Sequence, residues 1–319
     1  MSLATPMARQ STSGTPMPHP YFIGLVRSEL FKLSRQRTTW ITSGIVVLFI
    51  AFGWLQIPGS SQIVDYAKSD PLKFHLLWME TSLSVIRIFS GFALVIITAR
   101  IFGLDYQQGT IRVILSRGVE RLVLMGAKLV TALLVALGIL VGSLIVNTIL
   151  ALIVIPAVGG ANTFSVLNGT FWSDSWLYLL SVVISMVATV LLTMALTVIG
   201  RSLTFGLALG LVFFAADNTM DFILSRVAET TGNDFYNQVT TFMLGPSLNF
   251  LGAILLPHPL VTMLTREGAT INAPDYAFQI GFPPTVIYDA THFLAVIVGW
   301  GIACIGIATY LTWRRDVLE

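Results

Sequence analysis

The chain has 319 residues, of which 55% are apolar and only 11% charged, and its net charge is +2. Soluble domains carry about 25% charged residues, so this composition, with a mean hydropathy of +0.81, excludes a soluble globular protein. So small a net charge gives no reason to invoke nucleic acid, and the single cysteine, Cys304, excludes an intramolecular disulfide and a cysteine-based metal site.

In chain order, residues 1–20 are rich in Ser, Thr and Pro and read as a disordered cytoplasmic tail before a transmembrane domain over 21–319. The segment "YFIGLVRSELFKLSRQRTTW" follows. Phe22, Val26, Leu30 and Leu33 make an apolar stripe, while Arg27, Lys32, Arg35 and Arg37 supply positive charge. This is the pattern of a helix lying on the inner leaflet, anchored by Trp40. A membrane helix needs about 20 mostly apolar residues, and six spans are predicted, at 39–57, 81–103, 129–156, 176–199, 203–222 and 291–312. The stretch 242–264 is also apolar but contains Pro246, Pro257 and Pro259, so it reads as a re-entrant or interfacial hairpin before span six. With both termini inside, 13 Lys and Arg fall on the cytoplasmic side against 4 outside, as the positive-inside rule requires.

Between spans two and three lies a polar island, "GLDYQQGTIRVILSRGVERLVLMGAKL". Thr110 is placed to cap a short helix and Gly118 to stop it. Ile111, Ile114 and Leu115 form its apolar stripe, with Arg112 and Arg117 pointing elsewhere. Such a helix fills a groove on another protein; the alternative is an interfacial loop whose arginines meet anionic lipid.

Three motifs now carry a resemblance. "ELFKLSRQR" (Glu29, Lys32, Arg35 and Arg37 among them) precedes span one, "QGTIRVILSRG" (Gln108 to Gly118) joins spans two and three, and "RRD" (Arg314 to Asp316) closes span six. In that order they resemble the permease subunits of ABC-2-type ATP-binding-cassette exporters, the type V exporter fold. The resemblance implies an all-α membrane protein with an interfacial N-terminal helix and a cytoplasmic coupling helix docking on an ATPase subunit. That role falls on Asp105, Gln108, Gly109, Thr110, Arg112, Leu115, Arg117, Gly118 and Glu120. It also implies a second copy of the permease or a related one, and short outer helices in the region of 242–264.

No phosphate-binding "GxxxxGK[ST]" occurs: Lys68–Ser69 is preceded by Ala67 where glycine is required. ATP and Mg are therefore expected on another polypeptide. His19, His75, His258 and His292 show no HExxH spacing, and no GxSxG appears, so no catalytic residue and no metal site is assigned. Among polar groups in the spans, Glu80, Ser84 and Arg87 share one helix face, read as a structural Glu80–Arg87 ion pair or as a stripe facing a pathway. Asn147 and Thr148 are expected to bond between helices. Asp217, Asn218 and Asp221 either end span five in water or line an exit. The function read from all this is export of an apolar or amphipathic substrate across the plasma membrane, driven by a separate ATPase. The alternatives are a membrane scaffold that recruits a cytosolic protein without transport and, behind it, an intramembrane enzyme, which would turn over without an ATPase.

Overall fold

The computed structural model describes residues 22–58, 61–116, 118–233, 235–255 and 290–314. The predicted tail and the second half of the 242–264 stretch lie outside them. Among the described residues every regular element is helical. Helix α1 (Phe22–Ser34) leads into α2 (Arg37–Leu55), the short α3 (Ser61–Ser69) and the long α4 (Pro71–Gln107). A two-turn helix, α5 (Thr110–Ser116), then precedes α6 (Arg121–Gly159). A 3-10 segment (Ala161–Val166) connects to α7 (Gly169–Gly200), which turns sharply into α8 (Leu203–Thr231). Helices α9 (Phe235–Thr240), α10 (Leu244–Leu255) and α11 (Ala290–Arg314) complete the chain.

Five of these, α2, α4, α6, α7 and α11, are long and apolar enough to cross a membrane. A helix satisfies its own backbone hydrogen bonds, which is why unbroken apolar runs of this length adopt it where water is absent. At 1.5 Å per residue, the 37 residues of α4 span about 55 Å, well beyond the roughly 30 Å of a hydrocarbon core. Local chemistry sets the ends. Asp70 accepts a hydrogen bond from Lys73 N, and Pro71 occupies the first turn of α4. Asn168 likewise accepts from Phe171 N at the start of α7.

Helices α4 and α7 form the centre: in each, 67% of the most apolar stretch is buried, against 17% in α11. Around them pack α2, α6 and α8, while α10 lies against α7, α8 and α11. Polar side chains join the helices as well. Trp54 Nε1 donates to Asn147 Oδ1 at 2.8 Å, and Asn147 Nδ2 donates to Ser82 Oγ at 3.4 Å, linking α2, α6 and α4. Asn147 thus makes the bonds between helices expected of it, whereas Thr148 is exposed.

Several boundaries differ from the sequence reading. Span two begins at Pro71, not 81, so Glu80 and Arg87 sit well inside a continuous helix. Asp217 does not end a helix in water: α8 runs on to Thr231, stops at Gly232 (φ 64°), and buries Asp217. The apolar part of α8, Leu203–Asp217, is shorter than that of the five long helices, so this element is set apart from them. The described part of the expected 242–264 hairpin is one helix, α10, with Pro246 in its first turn, where a missing N–H disrupts nothing. On α1 the buried residues are Val26, Glu29 and Leu33; Phe22 is exposed and Leu30 half-buried. The packed face is thus rotated from the expected stripe because a charged residue on it finds partners inside.

Where α4 meets α8 the contact depends on a missing side chain. A Cβ on Gly103 would stand 2.5 Å from Leu203 Cα and 2.8 Å from Leu203 N. Backbone atoms cannot rotate away as a side chain could, so Gly103→Ala has to push the helices apart. We expect a loss of about 1–3 kcal/mol, read as a lower thermal midpoint in detergent. At Gly142 nothing lies within 4 Å of an added Cβ, and Gly142→Ala should stay within about 0.5 kcal/mol.

Candidate functional site

The polar island folds into a joint. Asp105 ends the buried part of α4, and the chain then turns through Gly109 (φ 66°) into α5 and leaves it through Gly118 (φ 82°). Positive φ is readily taken only by glycine, which accounts for glycine at both bends. Between them Ile111, Ile114 and Leu115 are half-buried and Val113 is exposed. Gln108 and Glu120 are exposed. Glu120 precedes the first turn of α6, where a negative charge suits the helix dipole. The side chains of Arg112 and Arg117 lie outside the described residues.

Beneath this joint Lys128, seven residues into α6 and 4% exposed, meets three acceptors. Its Nζ lies 2.5 Å from Asp105 Oδ2 on α4 and 3.6 Å from Glu29 Oε2 on α1. It also donates to Ile101 O at 2.6 Å, in the last turns of α4. An ammonium has three N–H groups, and the C-terminal end of a helix favours a cation. The other carboxylate oxygens are engaged too. Glu29 Oε1 accepts from Lys32 at 2.8 Å, and Asp105 Oδ1 accepts from Thr110 Oγ1 at 2.8 Å. The result is a cluster of two cations and two anions, buried except for the exposed Lys32, that fastens α1, α4, α6 and the first residue of α5 at one place. Burial draws the Lys32 amine downward, but the hydrogen bond and charge of Glu29, with Asp105 behind, outweigh it and hold its pKa above 10.5. A raised cation contributes stability that is complete below 10.5 and is lost as pH rises through the folded value; neutral pH leaves it charged.

Of the residues singled out from the sequence, the fold brings Glu29, Lys32, Asp105 and Thr110 together. Arg35 instead stacks over Phe31 at 4.5 Å, and Arg37 is exposed at the start of α2. Sequence reasoning missed Lys128, counted there only as one more cytoplasmic cation. The available signal was its position inside an apolar run, where a lysine requires partners.

The polar groups of the spans form a second, separate set. Ser84 Oγ is hydrogen-bonded to the Tyr178 hydroxyl on α7. Arg87 Nη1 donates to Leu248 O on α10 at 2.7 Å, and Glu80 is buried two turns earlier on α4. Asp217 Oδ2 accepts from Gly245 N, also on α10. Arg87 and Asp217 line one small cavity with Ser185 and Thr189 of α7. The side chain of Asp221 lies outside the described residues.

Five long apolar helices gathered around a buried centre, with a short helix hinged on a charged joint, define a multi-pass membrane protein. The chain belongs to the ABC-2 family: the family of ABC-2 family transporter proteins matches residues 25–217, more than half of its length. No individual curated protein matches it. Membership makes this a membrane subunit of a transporter and implies an ABC ATPase subunit as its partner. The matched region contains the whole charge cluster and both glycine bends.

Lys128→Met leaves Glu29 and Asp105 buried without the ammonium between them. Removing one partner of a buried ion pair costs about 3–5 kcal/mol, so a large drop in thermal midpoint is expected. Adding Asp105→Asn should recover part of it, giving a coupling energy above about 1 kcal/mol in a double-mutant cycle. Strictly additive losses would mean that the two side chains do not share this interaction.

Proposed function

We propose that the chain is the export permease of an ATP-driven transporter whose ATPase is a separate polypeptide. The permease lies in the plasma membrane with both termini cytoplasmic. It crosses six times, with α8 as the fifth crossing, and works as a pair with a second copy or a related permease. Helix α5 is the coupling helix. The observation that carries this reading is the bond from Thr110, at the foot of α5, to Asp105, the carboxylate that Lys128 also holds. A push on α5 therefore acts on α1, α4 and α6 at one point. Buried ion pairs resist shear because separating them strands charge in a low dielectric.

Closure of two ATPases on bound ATP moves α5, and the joint passes that movement to the long helices as a tilt. Helix α1 rides along as the strut on the membrane surface, held by Glu29 and Lys32 and supported by lipid contacts of its basic residues. The cargo is an apolar or amphipathic molecule taken from the cytoplasm or the inner leaflet, since few charges line the spans.

The test is co-purification with the ATPase subunit of the transporter. Arg112→Glu with Arg117→Glu should lower recovery of the ATPase by more than about tenfold, because reversing charge at a close contact costs several kcal/mol, while membrane insertion is unchanged. Full recovery of an ATP-hydrolysing complex would refute the assignment of α5.

A further inference from the structure

Helix α10 is attached to the bundle by two charged side chains that both bind its backbone. Asp217 on α8 accepts from Gly245 N, and Arg87 on α4 donates to Leu248 O at 2.7 Å, one turn further along. The helix is seated closely: a Cβ on Gly245 would meet Asp217 at 2.8 Å, and one on Gly252 would meet Tyr178 at 3.2 Å. Ser247, between the two bonds, is fully buried.

For both charges this arrangement is a poor resting place. Leu248 O lies within a helix, where it already serves as a ladder acceptor, and Arg87 offers it one of five N–H groups. Arg87 is 7% exposed, and its Nε is buried without a hydrogen-bond partner. Asp217 lines the same cavity, which has about 20 Å³ of room for water centres, enough for roughly one water. Two opposite charges thus face one small space, and each is bound to the helix that covers it rather than to the other.

We propose that Arg87 and Asp217 are positioning residues that form a two-state latch on α10. With α10 docked, they hold its amide and its carbonyl. With α10 lifted, they hold each other. The exchange supplies the partner that each charge would otherwise lack in a low-dielectric interior, so α10 can leave without stranding a buried ion. This rests on the transporter reading and adds to it a movement of α10 during export, but the latch is defined by α10 alone.

The test follows the docking of α10 directly, in the purified permease in lipid vesicles, with neither ATPase nor cargo. Cys304 is the single cysteine, so Cys304→Ser gives a blank background. In it, Ser247→Cys reports α10, and Leu94→Cys, also fully buried but on α4, reports opening of the bundle as a whole. The readout is the rate of labelling by a membrane-impermeant maleimide. Asp217→Ala removes the acceptor for Gly245 N and should speed labelling of Ser247→Cys by about tenfold or more, with Leu94→Cys still protected. Asp217→Asn keeps an acceptor oxygen for Gly245 N but cannot form an ion pair with Arg87, so labelling should be several-fold slower than in the parent. A merely structural clamp would not give that slowing. Asp217→Asn labelling as fast as the parent or faster overturns the exchange. If Asp217→Ala exposes Leu94→Cys, the bundle has opened, and Asp217→Asn against the parent alone decides. Because no transport is measured, failure of the exporter reading would leave this result standing, and the reverse.

Discussion

An ammonium ion inside an apolar bundle has to be surrounded by oxygen. Lys128 meets that requirement with Asp105, Glu29 and the carbonyl of Ile101, and much of the rest of this end of the molecule follows. The carboxylate from α1 forces the amphipathic helix to turn Glu29 inward. The carboxylate and carbonyl from α4 set the height at which that helix ends against α6. Since Asp105 also holds Thr110, the short α5 begins at a fixed point. None of these partners can be withdrawn singly without leaving a charge unpaired where water does not reach.

The centre of the bundle is held by a different means. Membrane helices gain little from hydrophobic contrast with lipid, so they associate through close backbone approach and polar bonds between helices. Gly103 lets α4 touch the start of α8, and Gly206 and Gly210, four residues apart on α8, face Thr197 and Val95. Hydrogen bonds among Trp54, Asn147 and Ser82 add α2 and α6. Helix α4, joined at its C-terminal end to the charged joint and near its middle to the backbone of α10, is a suitable body for transmitting movement along its length.

The two polar sets differ in how completely their charges are satisfied, and that difference fits their proposed roles. In the joint, two cations stand against two anions and Lys128 lies between the two carboxylates, so the cluster is suited to keep its geometry while force passes through it. Around α10, Arg87 keeps an unpartnered Nε and shares a small cavity with Asp217, so an alternative arrangement is close by. A connection that must stay fixed and one that must let go are built from the same residue types, distinguished by partners and room.

The membrane class, the long helices and the polar island were all legible in the sequence. Each depends on composition or on neighbours along the chain: apolar runs of sufficient length, glycine at bends, and basic residues clustered between spans. The bounds of α5 were legible for the same reason, since Thr110 and Gly118 frame it locally. What only the tertiary structure decided is which charges meet. Glu80 and Arg87 share a helix face in sequence, yet Arg87 reaches across to α10, 161 residues away. Lys128 looked like one more surface cation and is instead the centre of the joint. Asp217 looked like a helix terminus and is buried mid-helix against Gly245. Helical periodicity specifies the face a residue occupies, but the partner on the facing helix is set by crossing angles and close approach, and these depend on residues such as Gly103 and Leu203 that meet only after folding.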